Sequence, residues 1–115
     1  MNIQGIGIDI EEIKRFKRLP YNDYKHFYER IFTAKEIAYC LEKQPPYPHF
    51  AVRFCAKEAA VKALRMPISY KDIEIVCDTK NKAPRMRIIG QGAWQAFVSL
   101  SHTKNYATAL VVLSR

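Results

Sequence analysis

Residues Phe50 to Leu64 read FAVRFCAKEAAVKAL. At 100° per residue, Phe50, Phe54, Val61 and Leu64 fall on one apolar arc, while Ala51, Ala56, Ala59, Ala60 and Ala63 add helix propensity with no side-chain entropy to lose. The spacing predicts a helix. Lys57 interrupts the apolar arc, about 20° from both Phe50 and Leu64 in projection. A desolvated ammonium is costly there unless it meets an anion, a phosphate or a carboxylate. The alternative is a snorkelling Lys57 beside a surface Glu–Lys pair. Glu58 and Lys62, at i and i+4, stand at the edge of the same arc, so one helix face offers a carboxylate between two ammonium groups.

Upstream, Ile3 to Ile10 alternate, with Ile3, Gly5, Gly7 and Asp9 on one face and Gln4, Ile6, Ile8 and Ile10 on the other, which predicts a first strand ended by Asp9. Gly5 and Gly7 permit close approach of another backbone or a ligand. Asp9 is placed to cap the next segment. From Glu11 to Leu19 the spacing of Ile13, Phe16 and Leu19 predicts a short amphipathic helix carrying Lys14, Arg15, Lys17 and Arg18. Those four cations, with no acid among them, make either a solvated face or a surface for an acidic partner. Pro20 stops the helix, and Tyr21 to Tyr28 is an aromatic, loosely helical connector. Thr33 and Glu36 form a capping-box pattern, so Ala34 to about Lys43 is expected to be helical until Pro45-Pro46. His49 reads as a loop or capping residue.

Downstream, Met66-Pro67 ends the central helix. Asp72 to Cys77 and Arg85 to Ile89 are expected strands joined by a polar hairpin loop at Asp78 to Lys82. Gly90 to Trp94 is an expected helical turn. Ala96 to Ser101 and Ala107 to Leu113 are further strands, with Thr103-Lys104-Asn105 as their turn. Strands and helices do not alternate, so the fold class is α+β: a small single domain over 1–115 with an antiparallel sheet packed against the long central helix. His102 follows Ser99-Leu100-Ser101 at a strand end, where its side chain and both hydroxyls can point to one place, although a strand-end histidine is usually structural.

Composition narrows the function. Lys plus Arg number 19 against 11 Asp plus Glu, a net charge of +8 in 115 residues, so an anionic partner is expected: nucleic acid, an acidic protein or a phosphorylated cofactor. Cys40, Cys55 and Cys77 are odd in number and widely spaced, against both a disulfide framework and a structural zinc site. With no long apolar run and no leader-like N-terminus, a cytoplasmic protein is expected. Asp9, Glu58, Lys62 and His102 together make a carboxylate pair, an ammonium and an imidazole, the inventory of magnesium-assisted phosphoryl chemistry.

Four motifs in order, GIGIDI at Gly5 to Ile10, ERIFTAKE at Glu29 to Glu36, RFCAKEAAVKAL at Arg53 to Leu64 and VSLSHTKNYATALVV at Val98 to Val112, together with DIEIV at Asp72 to Val76, resemble the holo-acyl-carrier-protein synthases. These are the short bacterial type of 4′-phosphopantetheinyl transferase. The resemblance implies that fold and Mg²⁺-dependent transfer of phosphopantetheine from coenzyme A to a serine of apo acyl carrier protein, in fatty acid biosynthesis, releasing adenosine 3′,5′-bisphosphate. It further implies that Asp9 and Glu58 hold the metal, that Glu58 deprotonates the serine, and that Lys62 serves the departing phosphate. Arg53, Lys57, Lys62, Ser101 and His102 would meet the cofactor, and Lys14, Arg15, Lys17 and Arg18 the acidic carrier. A homotrimer with sites between subunits is implied as well. Arg65-Met66-Pro67 and Lys82-Ala83-Pro84 depart from the family pattern, and Leu41 to His49 match it poorly. The alternatives, a metal-dependent nuclease or a small basic nucleic-acid-binding domain, share the charge. Nucleases of the Asp…Glu-x-Lys kind, however, place acid and lysine two apart on a strand, and no recognition-helix signature is present.

Overall fold

The computed structural model describes residues 2–90 and 92–115. Element order is β1 (Ile3–Glu12), α1 (Lys14–Lys17), α2 (Lys25–Ile31), α3 (Ala34–Leu41), α4 (Tyr47–Leu64), β2 (Ile73–Cys77), β3 (Pro84–Ile88), β4 (Gln95–His102) and β5 (Tyr106–Ser114), with 3₁₀ turns at Tyr21–Asp23 and Tyr70–Asp72. Strands β1, β5 and β4 form one antiparallel sheet in that order, and β2 and β3 form a separate antiparallel hairpin. Helix α4 lies across the inner face of the larger sheet. This is the expected α+β architecture. Among the described residues no helix is long and apolar enough to cross a membrane.

The close approach of β1 to α4 sets the geometry. A Cβ on Gly5 would lie 2.1 Å from the Ala63 carbonyl oxygen, and one on Gly7 1.9 Å from that of Ala59. Two residues of strand advance about 6.8 Å and four residues of helix about 6 Å, so the two elements stay in step with small residues at each crossing. Strand β5 completes the inner layer with Ala107, Ala109, Val111 and Leu113, all buried. A second cluster of rings, Phe16, Tyr28, Phe32, Phe50 and Phe54, fills the space between α4 and the N-terminal helices. Cys40, Cys55 and Cys77 are free thiols.

Several boundaries differ from the sequence reading. Asp9 neither ends β1 nor caps a helix. The ladder to β5 continues through Asp9–Ala109, Glu11–Ala107 and Glu12–Tyr106, and α1 begins at Lys14 without a side-chain cap. Helix α1 is accordingly four residues long, although Ile13 and Phe16 still reach the core. The connector resolves into a 3₁₀ turn and the separate helix α2. The expected helical turn over Gly90 to Trp94 partly falls on Gln91, outside the described residues. Gly90 and Gly92, at φ +78° and +82°, are left-handed and incompatible with it. The Thr33–Glu36 capping box is present.

Lys57 carries the main correction. Its side chain is fully buried, and its anion is Glu36, with Nζ 2.8 Å from Oε1. It also donates to the carbonyls of Tyr70, at 2.8 Å, and Ile73. The Glu36 carboxylate additionally accepts from Thr33 N at 2.8 Å and from Ile75 N at 2.9 Å, joining α3, α4 and β2. Burial pulls the Lys57 pKa below its usual value, and Glu36 opposes that shift. No surface is left on the Lys57 side chain for the phosphate expected there.

Two predictions follow from this packing. In Gly7→Ala the new methyl meets helix backbone, and the variant is expected to lose about 3 kcal/mol in urea unfolding. Wild-type stability would show that β1 can withdraw from α4. Lys57→Met strands the Glu36 carboxylate in the core and is expected to cost about 3–5 kcal/mol. A loss under about 1 kcal/mol would remove the ion pair from its structural role.

Candidate active site

The residues predicted for chemistry divide between two sides of α4. On the β1 side, Lys62 Nζ donates to the Ile8 carbonyl at 2.8 Å and to Asp9 Oδ1 at 3.2 Å. Asp9 arrives there because it follows Gly5 and Gly7 on the inner face, beyond the last glycine crossing. Its side chain is 12% exposed while that of Lys62 is 54% exposed, so the pair forms the wall of an open surface. Asp9 Oδ2 is buried and, among the described residues, has no hydrogen-bond partner. One turn before Lys62, Glu58 stands at the surface and accepts the hydroxyl of Tyr70 on Oε1. That bond, with burial second, pushes the Tyr70 phenol up to about 12.

Glu11 lies two residues beyond Asp9 on the same strand face. Burial first, and then the neighbouring Asp9, push its carboxyl up to about 7, against the pull of Arg15. Arg15 donates to Glu11 at 3.0 Å and stands over the Phe54 ring at 5.1 Å. This flank therefore holds three carboxylates, Asp9, Glu11 and Glu58, and two cations, Lys62 and Arg15.

On the other side of α4, Arg53 is about 180° from Lys62 around the helix. Arg53 is 3% exposed. Its guanidinium lies over the Tyr39 ring at 4.1 Å and donates to the His49 carbonyl at 3.3 Å, while Nε has no partner. With Tyr39, His49, Lys82 and Leu100 it lines a cavity of about 260 Å³. His102 joins this group, its ring 6.1 Å from that of His49. Burial, followed by Arg53 and His102, lowers the His49 pKa.

The expected convergence of His102 with both serine hydroxyls does not occur. Side chains alternate along β4, where Ser101 is level with Thr108 of β5 and Ile10 of β1 on the outer face, and His102 is level with Ala107 and Glu11 on the inner face. Within one chain, then, Asp9, Glu58 and Lys62 are brought together, Arg53 and His102 form a second group, Ser101 faces outward, and Lys57 is enclosed.

Lys14, Arg15, Lys17 and Arg18 all lie exposed on and just after α1. The end of β1 supplies acids to two of them, with Lys14 3.2 Å from Glu12 and Arg15 3.0 Å from Glu11. Among the described residues Lys17 and Arg18 have no ion-pair partner. Ile10, Glu11, Glu12, Lys14, Arg15 and Arg18, with Leu19, line an open groove of about 630 Å³.

The sequence reading missed Glu11, Glu36 and Tyr70. Glu36 was recognised as a cap but not as the partner of Lys57, because the second use of its carboxylate depends on packing 21 positions along the chain. For Glu11 a signal existed: it continues the strand alternation of Gly5, Gly7 and Asp9.

Residues 5–111 match the 4′-phosphopantetheinyl transferase superfamily. The chain is 43% identical over 125 residues to a holo-[acyl-carrier-protein] synthase of Geobacter sulfurreducens, covering 98% of each. It is 38% identical to that of Thermodesulfovibrio yellowstonii, covering 97% of this chain and 99% of the relative. The fold aligns with the Bacillus anthracis holo-(acyl-carrier-protein) synthase in complex with CoA (3′,5′-ADP), at TM-score 0.81 and 34% identity over 96% of each chain. It also aligns with the Helicobacter pylori enzyme in complex with coenzyme A, at TM-score 0.77 and 34% identity over 95% of this chain and 99% of that one. Matching motifs, near-complete coverage and a common fold lead to one conclusion: this chain belongs to the holo-[acyl-carrier-protein] synthases of the 4′-phosphopantetheinyl transferase superfamily.

Proposed function

We propose that this chain, as one domain over 1–115, transfers 4′-phosphopantetheine from coenzyme A to a serine hydroxyl of apo acyl carrier protein. The reaction is Mg²⁺-dependent, releases adenosine 3′,5′-bisphosphate, and serves fatty acid biosynthesis in the cytoplasm. The observation that carries it is the placement of Asp9, Glu58 and Lys62 on one accessible flank of α4. Two of these are carboxylates, and the unpartnered Asp9 Oδ2 is the kind of oxygen a hard cation satisfies. Among the described residues no cluster of three or more His, Cys, Asp or Glu stands ready for a metal. Mg²⁺ takes one or two carboxylates and completes its shell with phosphate and water.

When bound at Asp9 and Glu58, the ion would lower the negative charge that a pyrophosphate presents to a nucleophile. The remaining chemistry falls to the chain. Glu58 accepts the proton of the carrier serine, and Lys62 neutralises or protonates the departing phosphate. Arg53 and His102, with Ser101, are assigned to the cofactor's phosphates on the family resemblance.

Arg53 and His102 lie across α4 from Glu58 and Lys62, which supports pairing of one chain's flank with the other group from a neighbour. The outer sheet face supplies a surface for that contact, with Ile6, Ile8 and Ile10 each more than 60% exposed beside Phe97 and Leu110. A homotrimer with active sites between subunits is the assembly this reading takes.

The deciding experiment is a mass spectrum of apo acyl carrier protein after incubation with this protein, coenzyme A and Mg²⁺. The expected result is a gain of one phosphopantetheine, lost with EDTA and lost in Glu58→Gln; no gain with several carriers would overturn the reading. For the carrier surface, reversing the unpaired Lys17 and Arg18 to Glu is expected to raise the KM for carrier about tenfold without changing that for coenzyme A. The effect should shrink at high salt. An unchanged carrier KM would move the docking surface off α1.

A further inference from the structure

We propose that Tyr70 is a positioning residue that holds the Glu58 carboxylate in its working orientation and keeps it from pairing with Lys62. The inference rests on the assignment of Glu58 under Proposed function. On a helix surface, a glutamate and a lysine at i and i+4 ordinarily pair with each other. Here they do not. Lys62 is committed to Asp9 and the Ile8 carbonyl, and Glu58 to the Tyr70 hydroxyl. A base and an acid intended for different atoms of a substrate are thereby prevented from neutralising one another.

Tyr70 is fixed at both ends by adjacent residues of α4. Lys57, itself locked onto Glu36, donates to the Tyr70 carbonyl at 2.8 Å, while Glu58 accepts its hydroxyl. The ring packs against Phe54 at 5.7 Å between centroids, so the side chain has a third support. The core ion pair is thus connected to the active flank through Tyr70 as well as along α4 itself. The connecting segment is the one that departs from the family pattern. Arg65 caps α4 in the left-handed conformation at φ 58°, Pro67 prevents the helix from resuming, and the chain returns to α4 in the 3₁₀ turn beginning at Tyr70.

Tyr70→Phe tests this, because phenylalanine keeps the ring and removes only the donor. The full-length variant is compared with wild type in four measurements: kcat, KM for coenzyme A, thermal midpoint, and Mn²⁺ affinity by electron paramagnetic resonance with coenzyme A present. Loss of a residue that orients a ligand is expected to lower kcat and to weaken Mn²⁺ binding, each about tenfold. The KM for coenzyme A should stay put, and the midpoint should move by no more than about 2 °C. A lower midpoint with wild-type kcat and Mn²⁺ affinity would make the tyrosine purely structural and overturn the proposal. Wild-type turnover that survives EDTA, together with an active Glu58→Gln, would instead overturn the assignment of Glu58 itself, independently of what Tyr70→Phe does.

Discussion

The backbone contact between β1 and α4 is the constraint on which the rest depends. Gly5 and Gly7 bring the strand so near the helix that any side chain would strike the carbonyls of Ala63 and Ala59. Contact this close makes the relation between the elements rigid, because neither can shift without colliding with main chain. The next inward position is Asp9, and its carboxylate consequently meets Lys62 without needing a loop to deliver it. Catalytic groups carried on packed strands and helices are held more exactly than groups on loops.

The same helix shows how burial separates two lysines of like chemistry. Lys57 and Lys62 both face a carboxylate within about one hydrogen-bond length, but the first pair has no solvent access and the second lies at the surface. Enclosed, the ammonium and carboxylate must satisfy one another and the surrounding carbonyls, so they fasten α3, the 3₁₀ turn and β2 to α4. In the second pair only the lysine is well exposed, so its ammonium keeps contact with water. Position on the helix, not residue type, decides which lysine is enclosed and which keeps access to solvent.

Helix α4 also acts as a divider. Lys62 and Arg53 project in opposite directions, one towards the carboxylate flank and the other towards the cavity with His49 and His102. An exposed apolar sheet face on the same small molecule gives a physical motive for assembly.

Much of this was legible in the residues. Period 3.6 from Phe50 to Leu64 and period 2 from Ile3 to Ile10 determine the central helix and first strand. The Thr33–Glu36 box determines where α3 begins, and the motifs at Gly5, Glu29, Arg53 and Val98 determine the family. These are local or ordered signals, carried by neighbours along the chain. What only the tertiary structure decided were the partners: that Lys57 belongs to Glu36 instead of a phosphate, that β1 runs past Asp9 because β5 continues beside it, that His102 and Ser101 face opposite sides of β4, and that Tyr70 reaches Glu58. Each is a contact between residues distant in sequence or set by a strand's exact register. A charge's partner is whichever group the packing places within about 3 Å, and periodicity holds no information about that.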